Sequence, residues 1–368
     1  MKLPFVDLKA QYDSIKNEID QTIYNVIQDS AFIGGKYLKT FEQNYANYIG
    51  TKHCIGVGNG TDALFIVLKC LGIKEGDEVI TVANSFIATS ESITTSGAKV
   101  VFVDCDEKTY NIDVQKIEKV ITKKTRAIIP VHLYGLPADM DKVLEIANKY
   151  NLYVIEDAAQ AHGSQYKNKS IGTIGNCACF SFFPGKNLGA YGDAGAITTN
   201  NNEIANKIRM FANHGRIEKY NHEFEGISSR LDGLQAAILD VKLKYLERWT
   251  ERRIAIAKMY NEGLKDVVGI PHNYNNVRHV YHLYVIRTKS REKLKKYLEE
   301  KAISTGIHYP IPLPFLKAYS YLKHKPDDFP VAYKLKDEIL SLPIHGDMSD
   351  EQVKYVIEKV RCGVKEVV

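Results

Sequence analysis

From about residue 54 the chain repeats one pattern, a short β-rich run followed by an amphipathic stretch and then another run. The runs fall at residues 54–57, 78–82, 99–103, 127–131, 153–155, 179–183 and 196–199. Helical spacing fills most of the gaps, as in residues 139–150, where Val143, Leu144, Ile146 and Ala147 recur on one face. Strand alternating with helix selects a mostly parallel sheet covered on both faces, because parallel neighbours need a long crossover between them. Ligands of such sheets bind beyond the carboxyl ends of the strands. The chemistry is therefore expected in the turns that follow these runs.

The flanks read differently. Ile15, Ile19, Ile23, Val26 and Ile27, then Tyr37, Phe41, Tyr45 and Tyr48, follow helical spacing, so two leading helices broken at Gly34-Gly35 are expected. Residues 233–262 read as one long helix carrying the sole tryptophan, Trp249. After a break at Gly269-Ile270-Pro271 come an expected strand (280–287), helix (291–301), strand (303–308), a turn with Pro310, Pro312 and Pro314, and closing helices. At 368 residues the chain exceeds the roughly 250–300 over which one core grows. Two domains are expected: 1–250, with the leading helices and the large α/β unit, and 251–368, a small α+β unit.

Charge and cysteine content exclude several functions. The net charge is +5, and its densest clusters, at 123–126 and 251–253, are too short for a nucleic-acid groove. None of the six cysteines forms a C-x-x-C pair, so neither a metal site nor a disulfide framework is expected. Cys177 and Cys179, two apart on a strand, point to one face as buried small hydrophobes. With no signal-peptide core and no apolar run of ~18 residues, a soluble cytoplasmic protein is expected.

Three segments carry chemistry. Gly56-Val57-Gly58-Asn59-Gly60-Thr61 is a strand, a glycine turn and a helix opening. Its backbone amides can cradle an anion. The same residues also suit a plain turn with Asn59 or Thr61 as the helix cap. At Tyr153-Val154-Ile155-Glu156-Asp157-Ala158-Ala159-Gln160 a strand ends in acids followed by small residues. The aspartate there suits a metal, a ribose, a protonated ring nitrogen or a helix cap. Phe180-Ser181-Phe182-Phe183-Pro184-Gly185-Lys186 places one lysine among aromatic and small residues. Such surroundings desolvate an amine, lower its pKa from ~10.4 and make it nucleophilic toward an aldehyde. A phosphate cup, a ring-facing acid and a buried lysine, in that order, are what pyridoxal phosphate requires.

With these segments, and with Pro4-Phe5-Val6-Asp7-Leu8, Asn213-His214-Gly215, Ser229-Arg230-Leu231-Asp232 and Gly306-Ile307-His308-Tyr309-Pro310, the whole chain resembles the DegT/DnrJ/EryC1/StrS family of nucleotide-sugar aminotransferases. The resemblance implies an aspartate-aminotransferase-like α/β fold (pyridoxal-phosphate fold type I). Its mostly parallel seven-stranded sheet lies between helices, with a smaller α+β domain at the C-terminus. It implies Lys186 as the Schiff-base lysine, Asp157 on the pyridinium, Gln160 near the ring hydroxyl and Phe86 on the ring face. Gly60, Thr61 and Ser181 match phosphate contacts. Ser228, beside Arg230, matches a segment that reaches the neighbouring subunit's cofactor, which implies a homodimer. Tyr191, Arg230, His308 and Tyr309 are expected to meet substrate. Ser228 stands where many relatives carry Asn, and Pro314 near where many carry His. Relatives that act as dehydratases replace the lysine with His, so Lys186 favours transamination over a dehydratase or a non-catalytic regulator. The expected reaction passes an amino group from glutamate, through pyridoxamine phosphate, to a nucleotide-linked keto sugar. The overall likeness is to enzymes acting at C3 of a dTDP-linked 3-oxo-6-deoxyhexose.

Overall fold

A computed structural model describes residues 2–367. The seven runs join one sheet: β1 (His53–Val57), β2 (Glu78–Val82), β3 (Lys99–Val103), β4 (Thr125–Ile129), β5 (Tyr153–Asp157), β6 (Cys177–Ser181) and β7 (Gly195–Thr199). Their order across the sheet is β1-β7-β6-β5-β4-β2-β3. The pairings from β6 to β3 are parallel, whereas β7 runs antiparallel to both neighbours. No helix lies between β6 and β7, so the chain has no crossover there and must return antiparallel. Every residue of β2 and β7 is buried, as expected of strands covered on both faces.

Three leading helices form, α1 (Leu8–Ser14), α2 (Lys16–Gln28) and α3 (Gly35–Ile49), where two were expected. The split is at Ile15, whose φ of −131° is not helical. The break at Gly34 and Gly35 falls where expected, and both take positive φ. Helices α4 (Gly60–Cys70), α5 (Ile87–Thr95), α6 (Met140–Tyr150) and α7 (Asn202–Phe211) follow β1, β2, β4 and β7. The long helix is α8 (Gly233–Leu264). It packs on α2 and α3 and runs unbroken through residues 250–251. It gives Leu246 to the core around the large sheet, and Ile256 and Tyr260 to a second core with Leu3, Tyr284 and Leu298.

The C-terminal part departs most from expectation. Strand β8 begins only at Tyr284 (Tyr284–Arg287), because the preceding backbone is diverted. Val280 N–H bonds Gly135 O at 3.1 Å, and Leu283 N–H bonds Tyr134 O at 3.3 Å. Residues 303–308 form no strand, only single bridges from Ile303 to Leu3 and from Gly306 to Ser341. After α9 (Arg291–Glu300), a run expected to be helical is instead strand β9 (Ile339–Leu342), antiparallel to β8. Four buried residues are too few for periodicity to tell strand from helix. Helix α10 (Asp350–Val367) closes the chain. Among the described residues no helix is long and apolar enough to cross a membrane.

Candidate active site

The carboxyl ends of β1, β2, β4, β5 and β6 open on one edge of the sheet, and the turns beyond them meet there. After β1, Asn59 caps α4: its side chain accepts from Asp62 N–H at 2.8 Å, and its carbonyl accepts from Ala63 N–H at 3.1 Å. The Ala63 bond is the helix's first internal one, so of the four orphan donors only Asp62 N–H is used. Among the described residues the Gly60 and Thr61 amides remain as free donors at a positive helix terminus. Capped turn and anion cup are thus one structure. Gly60 must be glycine, since a Cβ there would lie 2.7 Å from Ser181 Cβ at the end of β6. A residue given no role above supports the cup. Ser229 Oγ accepts from Gly58 N–H at 3.0 Å and donates to Asp62 at 2.7 Å.

Strand alternation sends the two acids of β5 to opposite faces. Glu156 turns into the fold and accepts from the amides of Gly172, Ile174 and Gly175 and from His132 Nε2. Asp157 turns to the site and caps no helix, for none follows it. Thr89 on α5 donates to its carboxylate at 2.7 Å and is itself bonded to Ser85 at 2.9 Å; Ala159 N–H donates at 3.2 Å. Burial still pushes the Asp157 carboxyl above its ordinary value, against the pull of Thr89, Ala159 and the Lys186 and His132 charges. Thr89 went unnoticed in the sequence because a threonine on a helix carries no motif. Gln160 accepts from Tyr134 N–H at 2.6 Å and donates to Tyr309 Oη at 3.1 Å. Phe86, 54% exposed, lies 5.8 Å from the Tyr309 ring. Tyr134 donates its hydroxyl to His308 O, and His308 Nδ1 meets Ser341 Oγ at 2.8 Å. Burial, aided by the Lys186 charge, lowers the His308 imidazole to about 4.

Lys186 sits in a loop that folds on itself. Its N–H bonds Phe183 O, and Ala190 N–H bonds Phe182 O, each at 2.8 Å. Among the described residues its amine makes no hydrogen bond. Desolvation lowers it to about 8, while Asp157 pulls the other way. The loop is tied from two sides. His162, buried against Phe180 and Phe182, bonds Ser181 O through Nε2 at 2.9 Å and Tyr45 Oη through Nδ1 at 2.8 Å. A carbonyl can only accept, so Nε2 carries the proton, and burial keeps the ring neutral with its pKa near about 3. Asn187 bonds His282 Nδ1 at 3.2 Å and Val280 O at 3.3 Å. Arg253 in turn donates to the carbonyls of Tyr281, His282 and Ile344.

Gly60, Thr61, Phe86, Asp157, Gln160, Ser181, Lys186, His308 and Tyr309 therefore gather at one edge of the sheet. Tyr191 lies beneath the loop, its ring 4.1 Å from Lys242 Nζ. Ser228 is exposed and, within this chain, bonds only Arg230, at 2.9 Å. The gathered set fits pyridoxal phosphate. Two free amides with the Thr61 and Ser181 hydroxyls suit its phosphate, a buried carboxyl suits its ring nitrogen, and an unpartnered, desolvated amine suits its aldehyde.

Known proteins resemble the chain along nearly its whole length. A sequence profile of the DegT/DnrJ/EryC1/StrS aminotransferase family matches residues 13–361. The dTDP-3-amino-3,6-dideoxy-alpha-D-galactopyranose transaminase of Aneurinibacillus thermoaerophilus is 46% identical over 97% of this chain and 98% of its own length. The pleiotropic regulatory protein of Geobacillus stearothermophilus is also 46% identical, over 98% of each chain. The X-ray crystal structure of S. venezuelae DesV in complex with ketimine intermediate has a TM-score of 0.98 and 40% identity, with 100% of each chain covered. With a profile that spans nearly its whole length and relatives of like size at this identity, the chain belongs to the DegT/DnrJ/EryC1/StrS aminotransferase family.

Proposed function

We propose that this protein is a pyridoxal-phosphate-dependent aminotransferase that passes an amino group from glutamate to a keto sugar carried on a nucleotide. The observation that carries the reading is an unpartnered amine, Lys186, lowered to about 8 and set against a buried carboxyl, Asp157. Pyridoxal phosphate, when bound, supplies an aldehyde that condenses with primary amines and a ring that takes up the electron pair left when a proton departs. The Gly60 and Thr61 amides and the Ser181 hydroxyl would hold its phosphate, and Asp157 would keep its ring nitrogen protonated. Phe86 would cover one face of the ring. Gln160, anchored by Tyr134 and Tyr309, keeps one amide N–H for the ring hydroxyl.

Lys186 would hold the cofactor through its amine and, when that amine is free, would serve as the base that carries the transferred proton. A base near pH 8 is matched to that task near neutrality. His308 and Tyr309 wall the side from which substrate enters. The name of the Aneurinibacillus relative, a dTDP-3-amino-3,6-dideoxyhexose transaminase, favours a dTDP-linked 3-oxo-6-deoxyhexose as acceptor. We further assign the working unit as a cytoplasmic homodimer. In support, Phe183 is 57% exposed beside the loop of Lys186, Tyr24, Ile27, Phe32 and Ile33 are large apolar side chains left on the surface, and Ser228, exposed, meets only the Arg230 side chain, which also donates to Asn213.

The test is a panel of nucleotide-linked 3- and 4-keto sugars with glutamate, read by mass spectrometry, with Lys186→Ala as control. An amino sugar from the 3-keto compound, absent with the variant, is the expected result. A deoxygenated product without nitrogen would make the protein a dehydratase. Cofactor binding with no product from any sugar would favour a regulator, the role named for the Geobacillus relative.

A further inference from the structure

Lys242, on α8, takes no part in this chemistry, yet it is fully buried. Its Nζ donates to Gly189 O at 2.7 Å and lies 4.1 Å from the centre of the Tyr191 ring. Among the described residues no carboxylate pairs with it; burial alone acts on its amine and lowers it to about 7. A buried ammonium without a counter-ion is a net cost to a fold, and an apolar side chain of similar volume avoids that cost.

Gln235 lies seven residues earlier, two turns along the same face of α8. Its side chain accepts from Tyr191 N–H at 2.8 Å and donates to Tyr191 O at 3.4 Å. The two side chains thus hold both ends of the Gly189–Tyr191 stretch. That stretch closes the loop of Lys186, and it is tightly folded: a Cβ on Gly189 would lie 2.3 Å from Pro184 O. The clamp therefore grips the loop within five residues of the lysine that carries the amine.

We propose that Gln235 and Lys242 form a clamp on the long helix that sets the reach and direction of the Lys186 amine, Lys242 being a positioning residue that touches none of the reacting atoms. The inference rests on the assignment of Lys186 made above. Its value would lie in precision, since a small misplacement of a reacting group is enough to slow a reaction by about a hundredfold.

Lys242→Met keeps the volume and removes the bond. The melting temperature is expected to stay level or rise, because a buried cation is lost. The kcat is expected to fall about tenfold to a hundredfold with KM within about twofold. In the apo-protein, hydrogen exchange of the amides of residues 183–192 is expected to quicken at least about tenfold, a readout that needs no cofactor. If Lys242→Met does not fold, Gln235→Leu, at a half-buried position, is read by the same measurements and decides in the same way. Values of kcat and exchange both within about twofold of wild type would overturn the clamp. A wild-type protein that aminates no keto sugar, with exchange still faster in the variant, would remove the proposed function and leave the clamp standing.

Discussion

Two lysines, the half-buried Lys186 and the buried Lys242, lie on or beside the same loop, and their bonds separate their roles. Lys242 is engaged by Gly189 O, whereas the Lys186 amine makes no hydrogen bond to any described residue and faces the charge of Asp157. The neutral amine is the nucleophile, and its fraction grows about tenfold per pH unit below its pKa. Uptake of pyridoxal phosphate by the apo-protein should therefore accelerate as pH rises toward about 8 and level off above it. Stopped-flow rates that are flat across that range would contradict the assignment. Asp157 depends on a hydroxyl in turn. Thr89→Val leaves one carboxylate oxygen without its 2.7 Å donor. A loss of about 1–2 kcal/mol in denaturant unfolding is expected, with a shift in the pH at which the bound cofactor's absorbance titrates. Unchanged titration would mean that Thr89 does not govern the acid.

The site's elements were legible to different degrees. The cup, the acid and the lysine each follow a strand of a parallel sheet, and such sheets place their ligands at the carboxyl ends. Short apolar runs were therefore enough to find them. What escaped notice were side chains whose role depends on a neighbour brought in by the fold: Thr89, Ser229, His162, His282 and Lys242. Ser229 stands in a recognisable motif, but its contact with Gly58 and Asp62 does not show there, because spacing along a chain does not encode which helix face meets which loop. The C-terminal departures have two causes. The backbone at 280–283 bonds the loop after β4 instead of extending β8, and Ile339–Leu342 was too short to betray its period. The cup offers the sharpest test at this scale. Gly60→Ala drives a methyl to 2.7 Å from Ser181 Cβ, so one of the two must move. Cofactor affinity is expected to fall at least about tenfold by equilibrium dialysis, with a modest fall in the melting temperature of the apo-protein from the overpacking. Undiminished affinity would show that these amides do not hold the phosphate.

At the scale of the molecule, α8 joins the parts. It packs on α2 and α3, clamps the Lys186 loop through Gln235 and Lys242, and through Arg253 holds the segment from Tyr281 to His282 and the carbonyl of Ile344. The apolar side chains left on the surface predict a dimer by sedimentation at micromolar concentration. A monomer that is fully active at that concentration would contradict it. The central claim, that one amine among 368 residues carries the cofactor, admits a more direct test. Protein loaded with pyridoxal phosphate is reduced with borohydride and digested, and the peptides are sequenced by mass spectrometry. The account predicts the trapped cofactor on Lys186 alone. Cofactor trapped on Lys242, or on no lysine at all, would contradict it.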